Sequence, residues 1–417
     1  MVTIDESGKD DNLSVNKGFE MVAAHTAGGS GDLSFGVPST LNQALEHEDS
    51  EYWKAAILDE IINHEEVFQA FGPPVPREPY MSVTPTRFLF SQKLVSLQER
   101  QQDARSGAYK KIPTLGDYEW FRARLLYVNN PRVSVQSSWD ELFAPVVDKT
   151  SVRLFLSVSA MYNKHLVHLD IVSAYLHAAI TGAPRYITLW GDEPGYVRQL
   201  FKAMNGVDSA AQMWNRHFNT FIEKEGFLRT TRDACIYVHP SSSVQSSLYV
   251  DDILASADRD KKAQLDLFVK RIQKMFLVRI LGEPKRFLGM EISYLREQGL
   301  CCISQQSYIE KLVKQFLSDS DSAYPAFPTT PMEVNVYDKL ELAEQEPLFE
   351  GPYRSLVGGL LYLFVCTRVE IGFAISILTQ HLGAPKPTHF LMAKRVLLYL
   401  QGTKSYGLVL GGYVTHL

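Results

Sequence analysis

Two adjacent aspartates, Asp251 and Asp252, interrupt an otherwise apolar stretch, Leu248-Tyr249-Val250-Asp251-Asp252-Ile253-Leu254-Ala255-Ser256-Ala257. The pattern predicts a strand, a tight turn carrying two carboxylates, and a returning strand: a β-hairpin at the rim of a buried sheet. Like charges set side by side against an apolar core cost free energy unless a cation lies between them. A solvated Asp-Asp turn is the ordinary alternative. A second anomaly argues for more. Leu166-Val167-His168-Leu169-Asp170-Ile171 is another short apolar run that ends on an aspartate, where the carboxylate loses hydration with no evident compensation. If the two strands are neighbours in one sheet, three carboxylates converge. Such a group suits a hard divalent cation, Mg2+ above all. Two such ions about 4 Å apart activate an attacking hydroxyl and stabilise a departing pyrophosphate. That chemistry asks little else of a protein beyond positioning and positive charge.

The elements that must position these residues are legible in outline. Ser39 or Thr40 is placed to cap a first helix, and a stronger helix follows with Trp53, Ile57, Ile61 and Ile62 on one face. Strands are expected at 87–94 and 118–128. In the second, Arg122 and Arg124 alternate with apolar positions, which suits either a solvated face or a grip on phosphate. A helix carries Val152, Leu154, Phe155, Val158 and Met161 into the Asp170 strand. Ser173 to His177 reads as a turn; His168 and His177 read as structural or surface histidines. The pattern extends a helix from Phe201 to Phe227 and a basic one from Arg259 to Phe276. A second hairpin spans 287–304, and Ser304 or Ser307 is placed to cap a helix through Phe316. Three apolar helices close the chain, over 353–365, 371–382 and 388–400. Helices and hairpins alternate without a βαβ rhythm, so the fold class expected is α+β.

Composition narrows the partners. A net charge of −5 and a pI near 6.1 give no global basic signature, so any nucleic acid must be met by local basic faces. The cysteines Cys235, Cys301, Cys302 and Cys366 form no zinc spacing and read as reduced thiols of an intracellular protein. No run of 18 apolar residues and no apolar signal core is present, so no membrane is expected as a partner.

A strand-borne aspartate plus a hairpin Asp-Asp pair is what a palm-type nucleotide polymerase requires. The motifs Trp53-Lys54-Ala55-Ala56, Arg122-Ala123-Arg124-Leu125, Phe143-Ala144-Pro145-Val146-Val147 and Leu169-Asp170-Ile171-Val172-Ser173-Ala174-Tyr175-Leu176 agree with that reading. Tyr249-Val250-Asp251-Asp252, Leu281-Gly282-Glu283-Pro284, Leu288-Gly289-Met290-Glu291-Ile292, Tyr353-Arg354-Ser355-Leu356-Val357-Gly358 and Tyr399-Leu400-Gln401-Gly402-Thr403 follow in order. In these motifs, spread over about residues 38–410, the chain resembles the reverse transcriptase region of copia-type long-terminal-repeat retrotransposon polyproteins.

The resemblance implies a right-hand polymerase of fingers, palm and thumb with an antiparallel palm sheet, and an RNA-directed DNA polymerase activity. Asp170, Asp251 and Asp252 match the family's catalytic metal-binding triad for two Mg2+ ions, with Mn2+ as a substitute; Asp170 and Asp251 are the main ligands. Tyr175 matches the aromatic residue under the incoming sugar, and Lys93, Arg122 and Arg124 match basic residues that hold the triphosphate. The implied partners are an RNA or DNA template with its primer and a dNTP. A second copy of the chain, or the ribonuclease H and integrase regions of the same polyprotein, are further ones. The basic helices at 259–276 and 308–316 are expected to face the template and primer. Domain expectations are a disordered linker over 1–36, the reverse transcriptase over 37–316 with the thumb starting near 280, a linker over 317–352, and a helical connection over 353–417. The connection is expected to lead to a ribonuclease H domain missing from this fragment. Either cytoplasm or nucleus fits the family.

The sequence departs from the family pattern around Trp214. Where the family continues Lys-Gln-Ala-Pro-Arg-x-Trp, this chain has Asp208-Ser209-Ala210-Ala211-Gln212-Met213-Trp214. Two cations are lost and Asp208 is added near the expected phosphate path, which weakens electrostatic stabilisation of a triphosphate. Val128-Asn129 and Val369 are further departures. The alternative they support is a divergent, catalytically impaired remnant that keeps the fold and nucleic-acid binding.

Overall fold

The computed structural model describes residues 37–95, 110–111, 118–128, 142–318 and 327–412. The expected disordered segment 1–36 lies outside the described residues. The chain divides into two compact units. The first holds the described parts of 37–147 together with Leu166–Gly282, and the second holds Asp148–His165 with 283–412.

In the first unit, Thr40 caps the helix Leu41–Glu46 through a reciprocal capping box with Gln43. The helix Ser50–Ile62 follows, its last turns widening to a π-helix over Asn63–Val67. Trp53, fully buried, meets the rings of Phe90 and Phe121 edge-on and fixes this helix to a sheet. That six-stranded sheet runs in the order β1-β7-β6-β2-β4-β3, from β1 (Val75–Pro76), β2 (Val83–Val95), β3 (Lys110–Lys111), β4 (Tyr118–Tyr127), β6 (Arg185–Thr188) and β7 (Tyr196–Leu200). β2 pairs antiparallel with β4 along its length and parallel with β6.

The second sheet of this unit has the order β12-β5-β11-β10-β9-β8, from β5 (His165–Ile171), β8 (Leu228–Arg229), β9 (Ile236–Val238), β10 (Gln245–Tyr249), β11 (Asp252–Ala257) and β12 (Val278–Gly282). The pairs β8–β9, β9–β10, β10–β11 and β5–β12 are antiparallel. The helix Ala210–Lys224 buries Trp214, Phe218, Phe221 and Ile222, while Lys262–Met275 buries Leu265, Phe268, Val269 and Ile272 and leaves its lysines in solvent. The helix predicted from Phe201 starts later, at Ala210. Lys202 bridges to Ala179 as sheet, and Gly206 turns the chain at φ +91°, where a Cβ would meet the Tyr127 carbonyl oxygen at 2.0 Å.

In the second unit a four-stranded antiparallel sheet, β13 (Arg286–Phe287), β14 (Met290–Leu295), β15 (Leu300–Ser304) and β16 (Leu408–Gly411), packs against the helix Lys149–Met161. The expected second hairpin is the β14–β15 pair. Neither Ser304 nor Ser307 caps the helix Gln306–Phe316; its cap position is Gln305, and both serine hydroxyls donate to Glu291 instead. The helices Tyr353–Cys366, Gly372–Gln380 and Pro387–Gly402 share one apolar core with Gln306–Phe316. The stretch read as linker, 317–352, contributes the helix Val336–Ala343, held because Val336 and Ala343 bury their side chains. The four cysteines are free thiols. Among the described residues no helix is long and apolar enough to cross a membrane. The molecule is α+β, the class that the order of elements predicts.

Candidate active site

The hairpin forms where the apolar runs predict it. Tyr249 and Asp252 are the last paired residues, leaving Val250 and Asp251 as the turn. Val250 sits at φ +54°, the left-handed region, which a β-branched residue adopts only when its surroundings impose it. A two-residue hairpin turn demands a positive φ at its first position, and a contact from below supports it. The indole N–H of buried Trp214 donates to the Val250 carbonyl at 2.6 Å. On the neighbouring strand, the Ile171 N–H donates to the Asp251 carbonyl at 2.8 Å, so the end of β5 is tied directly to the turn. Asp170 and Asp251 are thereby brought together from distant parts of the sequence.

All three carboxylates are half-buried. Burial, followed by the negative charges of Asp252 and Asp170, pushes Asp251 up to about 6. Asp170 is also raised, chiefly by burial and then by Asp252, with Arg279, His168 and Arg122 opposing. Asp170 and Asp251 therefore share a region with little compensating positive charge. The nearest offsets are two partners that sequence reasoning missed in this role. Arg279, directly across the β5–β12 ladder from Asp170, approaches its Oδ2 at 3.4 Å. His168, two residues before Asp170 on β5, bonds Asp252 Oδ1 through Nε2 at 2.9 Å.

The other expected residues gather around the acids to different degrees. Ser173, at φ +52°, starts the short 3-10 turn Ala174–His177 that carries Tyr175. The Tyr175 phenol is raised above its ordinary value by burial, then by Asp251 and Tyr249, with Arg124 opposing. On β4, Phe121, Ala123 and Leu125 are buried, and the alternation leaves Arg122 and Arg124 half-buried on the other face. The field of Arg122 reaches Asp170 and that of Arg124 reaches Asp251. Lys93 lies on β2 in register opposite Trp120; its side chain is outside the described residues.

The departures near Trp214 look milder in three dimensions. Asp208 Oδ1 takes a hydrogen bond from Arg185 at 3.1 Å and caps the Ser209 N–H at 2.8 Å, so its charge is locally neutralised. Ser209 and Gln212 are buried.

Among the described residues no three His, Cys, Asp or Glu side chains gather closely enough to hold one ion together. The donor set nonetheless fits a hard divalent cation by its chemistry: carboxylate oxygens only, with like charges raising Asp251.

Comparison with known proteins identifies the family. Residues 101–332 match the family model described as reverse transcriptase (RNA-dependent DNA polymerase). The chain is 29% identical over 334 residues to the retrovirus-related Pol polyprotein from transposon TNT 1-94 of Nicotiana tabacum, covering 77% of this chain and 25% of that protein. It is 31% identical over 223 residues to the putative transposon Ty5-1 protein of Saccharomyces cerevisiae, covering 51% of this chain and 67% of that one. The chain thus spans about a quarter of the length of the tobacco polyprotein. A foamy viral protease-reverse transcriptase, solved in complex with dsDNA, superposes with a TM-score of 0.42 at 12% identity, over 84% of this chain and 57% of that one. The family match covers the turn, the strand-end aspartate and both arginines, and the chain belongs to the reverse transcriptase (RNA-dependent DNA polymerase) family.

Proposed function

We propose that this chain is the polymerase region of a copia-type retrotransposon polyprotein, extending a primer 3′-end on an RNA or DNA template with dNTPs. One observation carries the reading: the Ile171–Asp251 backbone bond sets Asp170 beside the Asp251-Asp252 turn. Asp170 and Asp251, with Asp252 in support, would hold the divalent cations, Mg2+ or Mn2+. When bound, those ions supply Lewis-acid activation of the primer hydroxyl and charge neutralisation at the leaving pyrophosphate. The chain's own residues do the rest. Arg122, Arg124 and, on the adjacent strand, Lys93 draw in and orient the triphosphate. Tyr175, held half-buried beside Asp251, presents its ring to the sugar. The exposed lysines of Lys262–Met275, together with Lys311 and Lys314, supply the local basic faces that an acidic chain needs to meet nucleic acid. In this reading 37–316 comprise fingers, palm and thumb, and 353–417 a connection to further polyprotein regions.

The test is primer extension on poly(rA)/oligo(dT) with Mg2+ or Mn2+. The expected result is extension by the wild type that Asp251→Asn reduces by at least about a hundredfold, the scale for losing a main electrostatic contributor. Extension untouched by Asp251→Asn would refute the site. A second reading, an impaired remnant that binds nucleic acid, is favoured by Asp208 and Gln212 standing where the family pattern has two cations. Retained binding with no extension by the wild type would select it.

A further inference from the structure

Asp170 is expected to meet a divalent cation, yet it already faces one of the chain's own. Arg279 stands opposite it in the β5–β12 ladder, and a guanidinium nitrogen lies 3.4 Å from Oδ2. A tight guanidinium–carboxylate pair closes to about 2.7–2.9 Å, commonly with two parallel bonds; this contact is single and long. Both partners are partly exposed, 31% for the Arg279 side chain and 23% for Asp170. The pair is therefore weak enough to exchange. It is also fixed in place, because the register of two paired strands, and not a mobile loop, sets the approach. Asp252 is held differently, by a 2.9 Å bond from buried His168 that no cation needs to break at Asp170.

We propose that Arg279 is a built-in counter-ion for Asp170, a positioning residue that steadies the free carboxylate and must yield before a divalent ion takes it. The proposal rests on the metal-dependent reading of the site and adds to it a residue that sets metal affinity. A counter-ion of this kind has a definite consequence. It keeps the acids from repelling one another in the empty enzyme, and it lowers affinity for metal by the worth of the pair it makes.

The test is Mn2+ binding to the full chain without nucleic acid, read by the loss of the free-ion paramagnetic resonance signal, with thermal melting to confirm that each variant folds. Arg279→Gln is expected to bind Mn2+ roughly two- to fivefold more tightly, the equilibrium equivalent of a partly exposed ion pair. Arg279→Lys, which keeps the charge, is expected to stay near the wild-type affinity. In an Asp170→Asn background, Arg279→Gln is expected to give no gain, because the pair is already gone. Unchanged or weaker binding by Arg279→Gln overturns the proposal. So does an equal gain in the Asp170→Asn background, which would show a general effect of charge. Failure of the underlying reading looks different: neither the wild type nor Arg279→Gln binds Mn2+, or Asp251→Asn binds it as the wild type does.

Discussion

His177 illustrates how one side chain near the site carries a pH signature. Its imidazole packs against Phe68 and Phe276 edge-on and beside Trp214, with Nε2 3.2 Å from the Val172 carbonyl. Burial lowers it to about 4, with His217 and Lys202 adding to the effect and the Val172 contact opposing it. A histidine lowered in the fold is neutral there, while the unfolded chain takes up its proton near 6.5. Its contribution to stability is complete above pH 6.5 and is lost as pH falls from 6.5 toward 4. The slope is at most about 1.4 kcal/mol per pH unit, trimmed by the solvent that reaches the ring. Urea midpoints at pH 7 and pH 5 test this: His177→Gln should lose less than the wild type over that interval, and equal losses would remove the assignment. At this scale the sequence was informative where a residue broke a rule. Asp170, Asp251 and Asp252 stood out as acids on apolar strands. Arg279 and His168 broke no rule, and their partners became visible only once the β5–β12 register and the β5–hairpin contact were known. Arg185, which neutralises Asp208, was silent for the same reason.

Among the elements, the hairpin was readable from alternation, but its turn is Val250-Asp251 and not the expected Asp-Asp pair, since Asp252 opens β11. Neither the left-handed Val250 nor the Trp214 bond to it had a local signal. The first follows from the two-residue turn that the register fixes, and the second from the helix Ala210–Lys224, which no local signal places there. The overlong helix expected from Phe201 failed likewise, since the bridge from Lys202 to Ala179 and the close approach of Gly206 to Tyr127 are tertiary facts. Arg368 shows the same logic in the second unit. It is almost fully buried, and its guanidinium reaches Glu370 at 2.7 Å, the Thr403 carbonyl at 3.1 Å and the Thr403 hydroxyl at 2.5 Å. It therefore ties the end of Tyr353–Cys366 to the end of Pro387–Gly402, which gives the motif at 399–403 a physical purpose. Arg368→Ala is expected to destabilise the protein by about 2–4 kcal/mol, the cost of losing a buried guanidinium's packing and its charged hydrogen bonds to part-exposed partners. Arg368→Lys should recover only part of that, because one ammonium nitrogen cannot stand where the three guanidinium nitrogens each meet an acceptor. Chemical denaturation of the two variants decides it; a loss below about 0.5 kcal/mol for Arg368→Ala would show a surface-like residue.

For the whole molecule, the least legible feature is how the chain is shared between its two units. A sequence reading divides a chain into consecutive blocks, and here one unit takes an earlier segment out of the other's span, Asp148–His165. The helix within that segment was predicted correctly from its apolar spacing, but its destination was not. It lies against β15 and β16, where Ala160 meets Gly411 so closely that a Cβ there would stand 2.9 Å from the Ala160 Cβ. Tyr294 donates to the Ser159 and Lys164 carbonyls at 2.7 and 3.0 Å, and Arg153 to the Val365 carbonyl at 2.8 Å. Val152, Phe155 and Leu156 are buried in the same helix. Removing it would uncover several large apolar side chains, each worth about 1.5–3 kcal/mol when fully buried, more than a unit of this size can spare. A fragment of residues 283–417 is therefore expected to melt without cooperativity and to bind a hydrophobic dye. Residues 148–165 joined to its N-terminus through a flexible Gly/Ser linker should restore a sharp transition. Equal melting midpoints with and without 148–165 would show that the C-terminal residues are self-sufficient and that the division between the units lies elsewhere.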